Sequence, residues 1–595
     1  MLQRDVIKHC EVDETMKQIA FLAALLAVLP LEGKAGTPAP AVSQLAAQAL
    51  ERQVDGLFAK WTRPGMPGAV VGVIRDGKLL LSKGYGLADL EHKVPMTPAT
   101  AFTVGSMSKQ FTAFSIHLLA KDGKLSLDDD IRKYVPEVPD FGATITVRHL
   151  IHHTSGLRDY FDLMFMTGWR RDDVATQDDG LTLVKRQRAL NFSPGQEHLY
   201  SNTGYLLLGL IVERVSGKPL ADFARARIFE PLGMKHTRFL QGYGTLVPGR
   251  AQSYLANAAG GYDYVAVGDS ADGAGGLVTT VGDLALWDRH FHDGRLGGPD
   301  LIAQVQAAGV LDNGKPIDYA SGLVVGSYRG QKMVWHGGVI GGFKTVMARF
   351  PDQHFSIIVL ANASDLDIQQ AMHSVTDLYL GREPAAIPPP PSPKRQTFKE
   401  VEIDPAQLDA LVGYFALSPE YGITFTKENG RLMAQGTGQY KVQAFAYGER
   451  AFFAKAIDAQ FTFDPPGKDG IVAGGVLRQN GADMRAKRVV QTAPPREALK
   501  KFEGTFYSDE LGILYTVASR DGGLVLSYPR GTIALDYNDR GEFATGALGN
   551  IKYQCSARDG CTGFTLSSGR ARNLQFTKVA LAAPFAERDT SAPGG

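Results

Sequence analysis

Cysteine is scarce in this sequence, three in 595 residues. Three thiols cannot build a disulfide scaffold or a four-thiolate zinc site. An excess of one charge is missing too. Lys+Arg total 63 against Asp+Glu 62, a formal net charge of +1, which argues against a nucleic-acid binder or a carrier of polyanions. No apolar run approaches the ~20 residues that a membrane-spanning helix needs. What is present is a hydrophobic fraction of 44% with 21% charged residues, enough to bury real cores. At about 150 residues per domain, the length suggests roughly four domains.

Residues 19–31 form a short apolar run behind Met16-Lys17. Its length suits the core of a signal peptide better than a membrane anchor. Gly33-Lys34-Ala35 and Ala39-Pro40-Ala41 are both candidate cleavage sites, and the acidic residues Glu11, Asp13 and Glu14 make Met16 the better start. Residues 1–41 are therefore expected to be a signal region, and the mature chain periplasmic or secreted. Export removes Cys10 and leaves Cys555 and Cys561, close in sequence, where an oxidising compartment favours a local disulfide.

The proline run of residues 386–396 is a semi-rigid linker that cannot continue a helix or sheet. Before it, residues 42–61 show helical periodicity. Residues 69–75 and 78–85 read as strands joined at Asp76-Gly77, a hairpin signal. Helical texture follows for more than two hundred residues. Strand patterns return at 321–328, 332–336, 343–350 and 355–361, then a helix at 369–380. Strands at both ends with helices between predict an α/β (α+β) domain over 42–385, one antiparallel sheet built from distant segments and an inserted helical lobe. After the linker the texture is β and repeats. Gly413-Tyr414-Phe415 with the turn Asn429-Gly430 is echoed by Gly504-Thr505-Phe506 with Asp521-Gly522. The spacing fits two all-β, barrel-like (lipocalin-like) domains, 397–495 and 496–582, ahead of a tail at 583–595; one continuous sandwich is the alternative.

Three patterns carry chemistry. Ser106-Met107-Ser108-Lys109 stands where a β-like stretch meets an amphipathic one, Gln110 to Lys121. Ser106 then lies near a helix N-terminus, whose N–H groups suit a developing oxyanion, and Lys109 falls on the same helical face. A buried lysine is biased toward its neutral form, which can take the serine proton. Tyr200-Ser201-Asn202 precedes a helical run and can set a phenol, for proton shuttling, beside an amide for substrate binding. His336-Gly337-Gly338 ends a strand and opens a loop with Gly341-Gly342; glycine lets a substrate backbone approach, and the N–H of Val339 can be a second oxyanion donor. A second His-x-Gly, His292-Asp293-Gly294, reads as a helix end. His152 and His153 are adjacent and lack a partner at ligand spacing, so they read as packing residues and no metal site is expected.

The order Ser-x-x-Lys, Tyr-x-Asn, His-x-Gly resembles the serine β-lactamase and penicillin-binding protein superfamily, in the branch of class C β-lactamases, D-aminopeptidases and esterases. The blocks His153-Thr154-Ser155-Gly156-Leu157 and Gly275-Gly276-Leu277-Val278-Thr279-Thr280 with Asp283-Leu284 are similar to that branch as well. The resemblance spans roughly residues 44–382. It implies that Ser106 is the acylated nucleophile, Lys109 the proton acceptor, Tyr200 the general base and acid, and Asn202 the group that orients the substrate amide. The N–H groups of Ser106 and Val339 would form the oxyanion hole. Acylation and hydrolysis then follow with no metal or cofactor.

His336 stands where many relatives have lysine. A largely neutral histidine is a poor anchor for a substrate carboxylate, which sets β-lactamase or DD-peptidase activity behind the other readings, and the intact motifs set a cell-wall fragment-binding protein without turnover behind an enzyme. The architecture resembles that of D-aminopeptidases, in which a C-terminal barrel loop helps recognise the substrate amine. Asp509, Glu510, Asp536 and Asp539 are equal candidates for such a loop. The first expectation is a D-aminopeptidase-like peptidase or amidase on short D-residue-containing substrates, and the second a carboxylesterase. The partner is a small peptide, amide or ester. The oligomeric state is left open, a homodimer among the options.

Overall fold

The computed structural model describes residues 44–580 apart from 171–172, 258, 269–271, 382–397 and short loop stretches (418–421, 437–441, 455–458, 469, 480–481, 490–493, 539–540, 546–547, 557 and 559). The signal region, the proline linker, the tail and Asp539 lie outside the described residues. Residues from Gln53 onward form a unit of their own, and every contact below falls within it.

Six strands make the central sheet: β1 (Ala69–Arg75), β2 (Lys78–Tyr85), β3 (Val324–Tyr328), β4 (Gln331–Ile340), β5 (Phe343–Phe350) and β6 (Phe355–Ala361). Their order is β3-β4-β5-β6-β1-β2, antiparallel throughout. Distant segments close it, with Ala69 opposite Ala361 and Arg75 opposite Phe355. Asp76 and Gly77 turn the first hairpin at φ 51° and 69°, the left-handed pair that an Asp-Gly turn favours.

Alternation along the inner strands feeds two cores. Val70, Ile74, Ile358 and Leu360 face one side; Val71, Val73, Ile357 and Val359 face the other. Each such side chain contributes roughly 1.5–3 kcal/mol when buried, so both faces need a cover. The helices that matter are α1 (Lys109–Lys121), α2 (Tyr160–Met166), α3 (Asn202–Ser216), α4 (Val281–Asp293) and α5 (Ile368–Leu380). On one side α5 supplies Met372 and Val375; on the other α4 supplies Val281, Leu284 and Trp287. Helix α3 is apolar almost all round and is buried from Asn202 to Val212, as a helix at the centre of a lobe must be.

One boundary differs from expectation. Strand β4 does not end at His336 but runs on through Gly337 and Gly338 to Ile340. Gly338 is required here by close approach of another part of the chain. A methyl group on Gly338 would come within 1.9 Å of the Val104 carbonyl oxygen, so only glycine lets this strand lie against the chain leading to Ser106.

Two closed eight-stranded barrels follow, running from Gly413–Ala416 to Ala482–Val489 and from Gly504–Ser508 to Leu574–Val579. In each, the first strand pairs with the last. The repeated turns Asn429-Gly430 and Asp521-Gly522 share positive φ at both residues. The barrels differ in attachment. Phe415, Phe425, Phe461 and Phe463 give the first its own core, whereas Phe506, Tyr515, Phe564 and Phe576 of the second are continuous with the core of the helical lobe. Tyr515 Oη donates to the Met166 carbonyl at 2.6 Å, and Arg530 Nε to that of Gly168 at 2.6 Å. Cys555 and Cys561 are disulfide-bonded across neighbouring strands of the second barrel.

Candidate active site

The chain leaves a short strand at Phe102–Thr103 and makes a 3-10 turn, Gly105–Ser108, before α1 begins at Lys109. Gly105 holds φ 54°. Ser108 locks the turn by donating to the Gly105 carbonyl at 2.6 Å and accepting from Leu277 N at 3.1 Å. Ser106 is thereby presented half-exposed while Lys109, one turn later, is fully buried.

Lys109 Nζ stands 3.0 Å from Ser106 Oγ, 2.8 Å from Asn202 Oδ1 and 2.6 Å from the Ala274 carbonyl. The last two partners can only accept. A neutral amine that donates to both has one lone pair left, and Ser106 is the partner able to donate into it. Tyr200 hydrogen-bonds Ser106 from the other side, and burial pushes its phenol well above the ordinary value, so at rest it keeps its proton. Lys109 Nζ also lies 5.0 Å from the centre of the Tyr200 ring.

The Tyr200-Ser201-Asn202 segment is held by the block that precedes α2. His153 adopts φ 58° and is buried. Its Nδ1 accepts from Ser201 N at 3.1 Å, its carbonyl accepts from Leu199 N at 3.0 Å, and its ring packs 4.2 Å from that of Tyr200. His152 is nearly buried as well, its imidazole pushed down to about 4 by burial. Asp159 caps α2 through Phe161 N at 3.0 Å. Its other oxygen accepts from Asn202 N at 2.7 Å and from Asn202 Nδ2 at 2.9 Å, which sets the face that the Asn202 amide turns to Lys109.

On β4, His336 is 5% exposed. Its Nδ1 donates to the Gly337 carbonyl at 2.6 Å, so its Nε2 accepts from Tyr319 Oη at 2.9 Å. Burial pushes this imidazole down to about 4. It is neutral near pH 7, and both nitrogens are engaged. Val339 lies beside the nucleophile turn: a methyl on Gly105 would meet Val339 N at 3.1 Å.

Ser106, Tyr200, Asn202, His336, Gly337, Gly338 and Val339 all line one cleft of about 680 Å³, with Lys109 beneath it. The sequence reading missed much of its wall. Phe161, Phe165 and Trp169 make one aromatic side, and Asp318 is its one carboxylate among the described residues. Arg570, from the last loop of the second barrel, also faces it. No linear pattern marks these residues.

Among the described residues, none of the acidic candidates of the second barrel (Asp509, Glu510 and Asp536) lines the cleft. Asp509 pairs with Arg188 at 2.6 Å, Glu510 pairs with Arg158 at 2.6 Å, and Asp536 points out from a strand. The loop that arrives carries a cation instead. The His292-Asp293-Gly294 copy ends α4, with Gly294 in the left-handed conformation at φ 60°.

A sequence model of the family described as Beta-lactamase matches residues 44–375. Penicillin-binding protein 4* of Bacillus subtilis (strain 168) is 30% identical over 432 residues, 69% of this chain and 93% of that protein. A D-aminopeptidase of Gluconobacter oxydans (strain 621H) is 26% identical over 443 residues, 72% of this chain and 82% of that protein. Among solved structures, an octameric penicillin-binding protein homologue from Pyrococcus abyssi shares the fold, with a TM-score of 0.52 at 22% identity over 82% of this chain and 99% of that one.

Proposed function

The chain belongs to the Beta-lactamase family and is a serine hydrolase, and we propose that within that family it is an aminopeptidase or amidase acting on short peptides and amides with an N-terminal D-residue. The carrying observation is the polarity of the cleft. Its strand offers a neutral His336 where a carboxylate-binding cation would stand, and its rim offers the exposed carboxylate of Asp318. An ammonium beside Asp318 and an apolar side chain against Phe161, Phe165 and Trp169 describe an aminoacyl group. The D configuration is taken from the likeness to D-aminopeptidases.

In this reading Ser106 Oγ attacks the scissile carbonyl and its proton passes to Lys109. The N–H groups of Ser106 and Val339 receive the developing oxyanion, an arrangement whose loss of one donor costs roughly 10²–10³ in rate. Tyr200, protonated at rest, gives its proton to the leaving amine as the C–N bond breaks and is reprotonated from Lys109. Water then cleaves the ester on Ser106 by the reverse proton path. The proposal includes an exported, periplasmic or secreted protein, a setting that the Cys555–Cys561 disulfide supports.

The test is a substrate panel of D- and L-aminoacyl amides, short-chain esters and a chromogenic cephalosporin. D-aminoacyl amides turned over fastest are the expected result. Rapid ester cleavage without D-amide activity would replace this reading with a carboxylesterase, which the apolar wall of the cleft favours as second choice.

A further inference from the structure

The second barrel reaches into the cleft with one loop. Ser568 Oγ donates to Asp162 Oδ2 at 2.6 Å, Arg570 N donates to the same oxygen at 3.1 Å, and the Arg570 carbonyl accepts from Asp159 N at 3.1 Å. Arg572 N donates to Asn191 Oδ1 at 2.8 Å, and the Arg572 carbonyl accepts from Arg158 Nε at 3.0 Å. So anchored, the loop sets the Arg570 guanidinium 3.3 Å from Asp159 Oδ2 and 3.3 Å from Asp162 Oδ1. A cation shared between two carboxylates has little charge left for a substrate anion. Its effect runs inward.

Asp159 Oδ2 is the atom that receives both N–H groups of Asn202, and Asn202 Oδ1 is the atom that faces Lys109. An ionised carboxylate only accepts, so it admits one orientation of the Asn202 amide, NH₂ toward Asp159 and oxygen toward Lys109. A protonated Asp159 is a donor as well. The amide can then turn its oxygen to Asp159 and its NH₂ to Lys109, and the lysine lone pair is drawn away from Ser106. Asp159 is 0% exposed, and burial holds its carboxyl above the ordinary range even against the downward pull of Arg570, so removing that pull raises it further.

We propose that Arg570 is a positioning residue for the nucleophile: supplied by the second barrel, it keeps Asp159 in the acceptor state that fixes the Asn202 amide and leaves the Lys109 lone pair for Ser106. The chain of contact is Arg570, Asp159, Asn202, Lys109, Ser106. The charged and titratable groups facing Asp159 are Arg570 from the barrel loop, Asp162 on α2, Lys109 on α1 and Tyr200 ahead of α3. Arg570 is the cation among them that the second barrel supplies; its charge also holds the Tyr200 phenol down, an effect on the alkaline side that leaves the acidic limb to Asp159.

This inference rests on the reading of Ser106 as nucleophile but not on the identity of the substrate. The experiment therefore follows acylation of the full-length protein by a fluorophosphonate, in which Ser106 Oγ displaces fluoride, together with steady-state hydrolysis of p-nitrophenyl acetate from pH 5 to 9. Arg570→Ala is compared with Arg570→Lys. Loss of the cation should move the acidic limb of both rates up by roughly 1–3 pH units, the range expected of an opposite charge at this distance. It should thus slow the reaction at least tenfold near pH 6, act on kcat rather than KM, and be largely restored by Arg570→Lys. An unchanged pH profile in a folded Arg570→Ala protein overturns the proposal. So does a loss that is equal at every pH and not restored by lysine, which is what a purely structural loop gives. Thermal midpoints of both variants establish folding. Ser106→Ala is the control: labelling that survives it refutes the nucleophile assignment instead.

Discussion

Glu510 of the second barrel and Arg158, which follows the His153–Leu157 block, meet at 2.6 Å with their side chains 5% and 1% exposed. The pair joins the barrel to the segment that carries Asp159. Burying two charges is costly, and deleting one of them strands the other, a loss of about 3–5 kcal/mol. Glu510→Ala should therefore lower the thermal midpoint markedly, while Arg158→Met with Glu510→Leu should recover most of it. A single variant as stable as the parent in differential scanning calorimetry would show that the barrel is held without this contact.

Ser106→Ala removes the one hydroxyl bonded to both Lys109 and Tyr200. Turnover should fall by roughly 10³-fold or more, with the fold intact, since the side chain is small and half-exposed. Mass spectrometry of the parent after brief exposure to an activated ester should find the acyl group on the peptide containing Ser106. Acylation elsewhere, or turnover retained in the variant, removes the premise of the mechanism.

Asp318→Asn tests the amine subsite. KM for substrates with a free α-ammonium should rise about tenfold, the worth of an exposed charge-assisted contact of roughly 1.5 kcal/mol, while esters without an amine should be unaffected. Equal effects on both substrate types would take Asp318 out of recognition.

His336 is buried neutral and its imidazole is pushed down to about 4, as are those of His117 and His290. Against an unfolded value near 6.5, the unfolded chain binds more protons between pH 6.5 and 4. Stability is therefore full above 6.5 and is lost as pH falls, by up to about 1.4 kcal/mol per pH unit for each such group. Thermal midpoints should decline steadily across that window, and His336→Gln should flatten part of the slope. A midpoint constant from pH 6.5 to 4.5 would contradict neutral burial.

The sheet, its hairpin at Asp76-Gly77 and the two barrels were legible because periodicity and turn chemistry are local. The grouping of Ser106, Lys109, Tyr200 and Asn202 was legible because each stands in a short pattern with a chemical reason behind it. What the linear chain hid is contact between remote segments. Asp159 is an ordinary helix cap until Asn202 is seen to donate to it twice, and Arg570 is one basic residue among 63 until the barrel docks. The strand through His336 was cut short for the same reason: the need for glycine at 338 comes from Val104, far away in sequence.

Arg570 meets Asp162 across a sequence separation of 408 residues. Contacts so remote close late, because the intervening polypeptide must be made and ordered first. A ribosome therefore releases the whole nucleophile motif long before the loop that steadies it exists. In a chain still lacking its final hairpin Asp159 has no such counter-ion, so activity below neutral pH is expected to lag behind the folding of the catalytic domain.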